Sequence, residues 1–148
     1  GNLNLEDDMS DDTKMAGGCM CGAVRYETTG DSFGVAHCHC HSCRRNTRRR
    51  NTGAAVATFV GLAREQFNYS AGAPRIFNSS PGVRRSFCGD CGTPLTYEAD
   101  NHPGEVHVHI STFDRPEAFP PQLHVYFADA IPWLHLDDHL PRHDALSQ

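Results

Sequence analysis

Hydrophobic and polar residues alternate in short stretches of the chain, as they do in a β-strand that buries one face. The clearest case is EVHVHI at residues 105–110, where three aliphatic side chains share one face and His107 and His109 share the other. Three further stretches have strand-like patterns: AVRYET at 23–28, AAVATFV at 54–60 and LHVYFA at 123–128. No stretch keeps the period of an amphipathic helix.

Turn-forming residues separate these stretches and limit their length. Glycine, proline, asparagine and aspartate concentrate at residues 29–31, 80–82, 101–104 and 119–121. Short strands joined by turns predict a mainly β fold, built as a compact single domain of several small antiparallel sheets.

The length of 148 residues is sufficient for one domain with a modest core. We expect this domain to occupy residues 15–148, and residues 1–14 to be a disordered or expression-derived extension, because this segment is polar and acidic and because Met9 and Met15 are plausible native starts whereas Gly1 is not. The extension lacks the basic start and apolar middle of a secretory signal. No apolar run approaches the ~18 residues of a membrane helix. The sequence therefore predicts a cytoplasmic protein.

Charge is distributed unevenly along the chain, although the formal net charge of the whole is only −5. Residues 34–89 contain nine arginines and a single acid, Glu65, so that this part carries +8 and the remainder −13. Arginine presents a planar fork of donors that suits carboxylates and phosphates. Two interpretations stay open: a surface that binds an anionic partner, and solvated arginines that balance the acidic flanks.

Seven cysteines fall in three tight clusters: Cys19 and Cys21 in GGCMCG, Cys38, Cys40 and Cys43 in HCHCHSC, and Cys88 and Cys91 in FCGDCG. Seven thiols cannot all pair as disulfides, and clustered thiols in a chain without secretory features favour a metal. Glycines flank the first and third clusters, where they allow backbone amides to turn toward a thiolate.

Zinc is the metal that this ligand set predicts. A structural zinc takes four Cys or His donors, whereas a catalytic zinc takes three and keeps one position open. The simplest partition that uses every cysteine closes one site with the first and third clusters and leaves the middle cluster as a group of three. Spacing alone does not force this partition, because any pair could join any other.

The three histidines of HCHCHSC offer more donors than one zinc needs. His39 lies between two cysteines, where its side chain is expected to point away from the ion, and His37 and His41 are interpreted in the same way. His107 and His109 could approach a pocket or could face solvent. All five are predicted to be bystanders rather than ligands.

The motifs GGCMCGAVRY, CHCHSCRR, FCGDCGTPL, HVHISTFDRP and LHVYFADAIPWLHLDDHLP, in this order, resemble the glutathione-dependent formaldehyde-activating enzyme family. The resemblance implies a β-tent fold similar to Mss4-like zinc proteins. It also implies two zinc ions. The cysteines that match the family's structural site are Cys19, Cys21, Cys88 and Cys91, and those that match its active site are Cys38, Cys40 and Cys43.

The resemblance further implies a carbon–sulfur lyase or synthase that converts glutathione and formaldehyde to S-hydroxymethylglutathione. A zinc held by three thiolates is a weak Lewis acid, but it can take a substrate thiol as a fourth ligand and hold it as thiolate. Glutathione carries two carboxylates, so Arg44 and Arg45 are the predicted substrate anchors.

One segment departs from the family pattern. The link CRRNTRRRNTGA is about five residues longer than usual, and RRNT occurs at both 44–47 and 49–52. Substrate access or selectivity could differ here as a result.

The alternative function is a non-catalytic, zinc-stabilised binding module for an acidic partner or nucleic acid, because the fold also resembles centromere protein V. RRNTRRR would then form a basic patch. The segment has no interleaved aromatic residues and the chain is acidic overall, so nucleic acid is the less favoured partner.

Overall fold

The structure is a computed structural model that describes residues 14–45 and 54–146. Most of the RRNT repeat lies outside these ranges, and so does nearly all of the predicted N-terminal extension. Arg44 and Ala54 are joined by a hydrogen bond of 3.2 Å from the Ala54 N–H to the Arg44 carbonyl, so the two described ranges meet at the repeat.

The described residues form ten strands and one short helix. The strands are β1 Lys14–Gly18, β2 Arg25–Thr29, β3 Gly34–Cys38, β4 Ala57–Ala63, β5 Phe67–Ala71, β6 Arg75–Ser80, β7 Val83–Phe87, β8 Pro94–Ala99, β9 Glu105–His109 and β10 Leu123–Val125. The helix α1 is His41–Arg44, and 3₁₀ turns occupy Arg64–Gln66, Ile110–Thr112, Pro116–Ala118 and Phe127–Asp129. Within the same ranges, no helix has the length and apolarity needed to cross a bilayer.

The strands form two sheets, which confirms the predicted fold class. The smaller sheet has the order β1-β2-β5, and the larger sheet has the order β10-β3-β4-β9-β8-β7-β6. All pairs are antiparallel except β10 with β3, which run parallel.

Each of the four predicted strands overlaps an observed strand, but the boundaries differ. The strand predicted at 54–60 begins at Ala57 and continues to Ala63. The strand predicted at 123–128 stops at Val125, because Tyr126 adopts a left-handed conformation with φ of 53° and the chain then enters a 3₁₀ turn. Six strands were not predicted. One of them, β6, is exposed over five of its six residues, so it has no buried face that would produce an alternating pattern of hydrophobic and polar residues.

The main core fills the space between the two sheets. Val60, Val106 and Val108 of the larger sheet are fully buried, and they belong to the same apolar cluster as Tyr26 and Phe67 of the smaller sheet. The Tyr26 and Phe67 rings stack with their centroids 5.0 Å apart.

A second, smaller apolar cluster lies on the opposite face of the larger sheet. In the register of β3 and β4, Val35 pairs with Val60 in the main core, while Cys38 pairs with Ala57 and therefore points to the other face. Cys38, Ala57 and Phe59 are buried in this second cluster. The larger sheet thus separates the main core from the three-cysteine group.

Candidate metal centres

The structure brings the seven cysteines together in the two groups that the simplest partition predicts. Cys19, Cys21, Cys88 and Cys91 form one group whose sulfur atoms all lie within 4.8 Å of one another, and this group is called the four-cysteine group. Within it, the Sγ atoms of Cys19 and Cys21 are 3.6 Å apart, and those of Cys21 and Cys88 are 3.8 Å apart. Four thiolates at such separations suit a closed tetrahedral zinc site.

Backbone amides point at the sulfur atoms of this group. The Val24 N–H donates to Cys19 Sγ at 3.3 Å, and the N–H groups of Asp90 and Cys91 donate to Cys88 Sγ at 3.4 and 3.5 Å. The turns that aim these amides contain Gly22 and Gly92, with φ of 82° and 84°, a conformation that favours glycine. These donors stabilise thiolate rather than thiol.

The four-cysteine group also joins the two sheets. Cys19 follows β1 of the smaller sheet, whereas Cys88 follows β7 of the larger sheet. Cys19 and Cys88 are both buried members of the main core cluster. A metal held here would therefore stabilise the packing of one sheet on the other.

The three-cysteine group consists of Cys38, Cys40 and Cys43, whose sulfur atoms also lie within 4.8 Å of one another. Cys38 ends β3, and Cys40 caps α1, its Sγ accepting a hydrogen bond of 3.2 Å from the Cys43 N–H. One turn of helix is enough to bring Cys43 back beside Cys40. Among the described residues, no fourth Cys, His or acidic side chain belongs to this group.

Close approach of the three thiols makes one of them strongly acidic. Hydrogen bonds from Cys38 and Cys43, with help from the Cys43 amide and the charge of Arg85, lower the pKa of Cys40 to about 2 although burial opposes this. The same hydrogen bonding raises the pKa of Cys38. A trio of sulfur atoms that shares protons in this way is a soft, anionic donor set, which fits Zn²⁺.

The wall of the three-cysteine group comes from the same face of the larger sheet. Phe59 and Tyr97 pack against it, and in the strand register Phe59 pairs with His109 and Tyr97 pairs with Arg85. The Phe59 and His109 rings are 4.3 Å apart. Tyr126, in its left-handed conformation, packs against the same cluster. Local sequence pattern does not identify Phe59, Tyr97 or Arg85 as neighbours of the cysteines, because their common face depends on the register of separate strands.

His109 belongs to this wall rather than to solvent. Burial, reinforced by the positive charge of Arg85, lowers the pKa of His109 to about 4. His109 is therefore neutral at pH 7, and no metal-binding group of the described residues includes it.

The His109→Gln protein is expected to lose less unfolding free energy than the wild type when the pH is lowered. Because the folded-state pKa of about 4 lies below the ordinary 6.5, His109 favours the folded state above pH 6.5, and this contribution is lost as the pH falls through 4. Between pH 7 and pH 4 the wild type should lose about 3 kcal/mol more unfolding free energy than His109→Gln. Urea unfolding of both proteins at several pH values measures this difference. Equal losses in the two proteins would contradict it.

The histidines beside the three-cysteine group form hydrogen bonds within the protein. His39 is buried, and its Nε2 lies 2.8 Å from Nδ1 of His124, whose Nε2 lies 3.0 Å from a carboxylate oxygen of Asp138. Because the carboxylate can only accept, His124 donates to Asp138 through Nε2. His37 Nδ1 lies 2.7 Å from Thr58 Oγ1. The hydrogen bonds from His39 through His124 to Asp138 fix the segment between Cys38 and Cys40 against β10 and the C-terminal segment.

Arg44 and Arg45, the predicted substrate anchors, follow the three-cysteine group directly. Arg44 is half-buried; its Nε donates to the His39 carbonyl at 2.9 Å and its Nη2 donates to the Asp129 carbonyl at 3.1 Å and to His41 at 2.8 Å. Arg45 is exposed at the C-terminal end of α1. The guanidinium of Arg44 therefore helps to hold α1 in place.

Fold and site together define a small, mainly β protein with two cysteine groups that could each bind a metal ion. The chain belongs to the glutathione-dependent formaldehyde-activating enzyme family, whose family model matches residues 14–129. This confirms the resemblance seen in the sequence motifs.

One solved structure shows the same fold. It is the crystal structure of a Rhodobacter sphaeroides protein, which is 21% identical, covers 68% of this chain and 88% of that chain, and superimposes with a TM-score of 0.55. No curated protein sequence matches the chain.

Proposed function

We propose that this protein is a zinc-dependent carbon–sulfur lyase or synthase that interconverts glutathione and formaldehyde with S-hydroxymethylglutathione. The observation that supports this most directly is the three-cysteine group, which has three thiol donors and, among the described residues, no fourth. A structural site would be complete, as the four-cysteine group is. An incomplete site leaves room for a substrate thiol.

Both metal sites belong to this proposal. Cys19, Cys21, Cys88 and Cys91 would hold a structural zinc, and Cys38, Cys40 and Cys43 would hold the catalytic one. When bound at the three-cysteine group, zinc would supply an open position at which a substrate thiol is held as thiolate. Seven free thiols and no disulfide agree with the proposed cytoplasmic location, where thiols stay reduced.

The surrounding residues prepare the site for this chemistry. Phe59 and Tyr97 cover the sheet side of the cysteines with aromatic surface, which limits the access of water. In the synthase direction the substrate sulfur bonds to the formaldehyde carbon, the carbonyl electron pair moves to oxygen, and that oxygen takes up the proton that the thiol gave up. In the lyase direction the same bond breaks and formaldehyde leaves.

Arg44 and Arg45 are the proposed anchors for a carboxylate of glutathione. Both follow the three-cysteine group directly; Arg45 is exposed, and the half-buried Arg44 donates to the carbonyls of His39 and Asp129. A guanidinium can hold a carboxylate with two parallel hydrogen bonds. We therefore assign both arginines to substrate binding, and Arg44 in addition to the support of α1.

The function is tested by exchange spectroscopy on ¹³C-formaldehyde mixed with glutathione. The protein loaded with two zinc ions should accelerate exchange between the free and the S-hydroxymethyl forms above the spontaneous rate. The acceleration should be lost in Cys40→Ser, and it should be weaker with a thiol that has no carboxylate. If the two-zinc protein gives only the spontaneous rate and instead shifts nucleic acid in a salt-dependent manner, the binding-module function is the correct one.

A further inference from the structure

Arg85 is a buried arginine beside the three-cysteine group. It lies on β7, only 5% of its surface is exposed, and its Nη1 is 3.8 Å from Cys43 Sγ. Its Nε donates to Ser79 Oγ at 3.0 Å, and its Cζ lies 4.9 Å from the centre of the Tyr97 ring. The guanidinium is therefore held in one place before any ligand arrives.

Among the described residues, no carboxylate is paired with the charge of Arg85. None of the ion pairs among the described residues includes Arg85, whereas its neighbour Arg84 is paired with Asp100 at 2.8 Å. A buried guanidinium without an anion is costly. The anionic groups within reach are the cysteine thiolates, since Nη1 of Arg85 lies 3.8 Å from Cys43 Sγ.

The formal charges of a loaded site explain what such an arginine would do. Three thiolates outweigh the charge of Zn²⁺ by one, and a fourth, substrate thiolate would add a second negative charge. In a site shielded by aromatic rings this charge is poorly screened. A fixed cation beside the site offsets negative charge, and the gain is larger when the fourth ligand is an anion, because the net charge of the site is then −2 instead of −1.

We propose that Arg85 is a specificity-determining residue that makes the three-cysteine group prefer a thiolate over a neutral fourth ligand. The inference rests on the proposed function, because it requires a metal with an open position at Cys38, Cys40 and Cys43. Arg85 acts through the charge of the site and does not itself need to touch the substrate.

The preference is measured by ligand binding to the cobalt(II)-substituted protein, since cobalt reports its ligands by absorption. Glutathione and imidazole are titrated separately into wild type, Arg85→Met, Arg85→Gln and Arg85→Lys, each checked first for two metals per chain. Removing the charge should weaken glutathione binding about 10-fold or more while changing imidazole affinity less than about 3-fold. Arg85→Lys should restore most of the thiol preference.

Arg84→Met is the matched control, because Arg84 is the adjacent arginine and pairs with Asp100 at the surface instead. It should leave both affinities unchanged. A glutathione-to-imidazole ratio that is the same in wild type and in both neutral Arg85 variants would overturn the role of Arg85 while leaving the proposed function intact. Failure of wild type to bind glutathione at all would overturn the proposed function itself.

If neither neutral Arg85 variant binds two metals, the role of Arg85 is tested on the wild-type protein. Its glutathione-to-imidazole ratio is then compared with that of a cobalt-bound three-cysteine peptide that has no arginine. A higher ratio in the protein supports the role of Arg85, and an equal or lower ratio overturns it.

Discussion

Replacing Cys88 by serine should leave the chain without a cooperative fold. Cys88 is almost fully buried, its sulfur receives two backbone N–H groups, and it belongs to the group that joins the two sheets. A structural zinc contributes roughly 10–16 kcal/mol of apparent binding energy, which matches or exceeds the 5–15 kcal/mol stability typical of a domain. Circular dichroism during thermal unfolding, combined with metal analysis, measures the effect.

Serine at position 88 nearly preserves the volume of the side chain, so loss of the metal rather than loss of packing explains the result. Ser86→Ala provides a comparison, because Ser86 is also buried on β7, and its Oγ forms hydrogen bonds with Thr96 at 2.6 Å and Tyr69 at 3.3 Å. That variant should keep two metals and lose about 1 kcal/mol. A Cys88→Ser protein that unfolds cooperatively near the wild-type temperature would show that the four-cysteine group is not structural.

Replacing Cys40 by serine should instead remove one zinc and all catalysis while preserving the fold. The three-cysteine group lies on the face of the larger sheet that points away from the main core, so its loss leaves the packing between the sheets unchanged. The unfolding free energy should fall by no more than about 3 kcal/mol. Metal content, thermal unfolding and formaldehyde exchange are measured on the same sample.

The two cysteine variants are controls for each other, because each removes one sulfur from one group. The four-cysteine and three-cysteine assignments would both be wrong if Cys40→Ser unfolded and Cys88→Ser did not. If Cys40→Ser kept two metals, the three-cysteine group alone would be in error.

The three-cysteine group could be predicted because its members are neighbours in sequence and therefore also neighbours in space. Cys38, Cys40 and Cys43 lie within six positions, so a single strand end and one turn of helix bring them together. The joining of Cys19 with Cys88 was predicted only as the simplest partition and from the family resemblance, because it depends on how two different sheets pack, which spacing does not specify.

The surroundings of the site could not be predicted in the same way. Arg84 and Arg85 are indistinguishable in VRRSF, yet the alternation of β7 places one beside Asp100 at the surface and the other beside Cys43. His39 was expected to point away from the ion, but its partner, His124, is 85 residues further along the chain. Contacts of this kind depend on the register of distant strands, which local pattern does not specify.

The parallel pairing of β10 with β3 also sets the order in which the molecule can be completed during synthesis. All four sulfur atoms that join the two sheets, and every strand except β10, are present once His109 has left the ribosome. His39, between Cys38 and Cys40, can form its hydrogen bonds only after His124 and Asp138 have been synthesised, much later in translation. A chain that folds as it emerges can therefore secure its scaffold before the support of its reactive thiols exists.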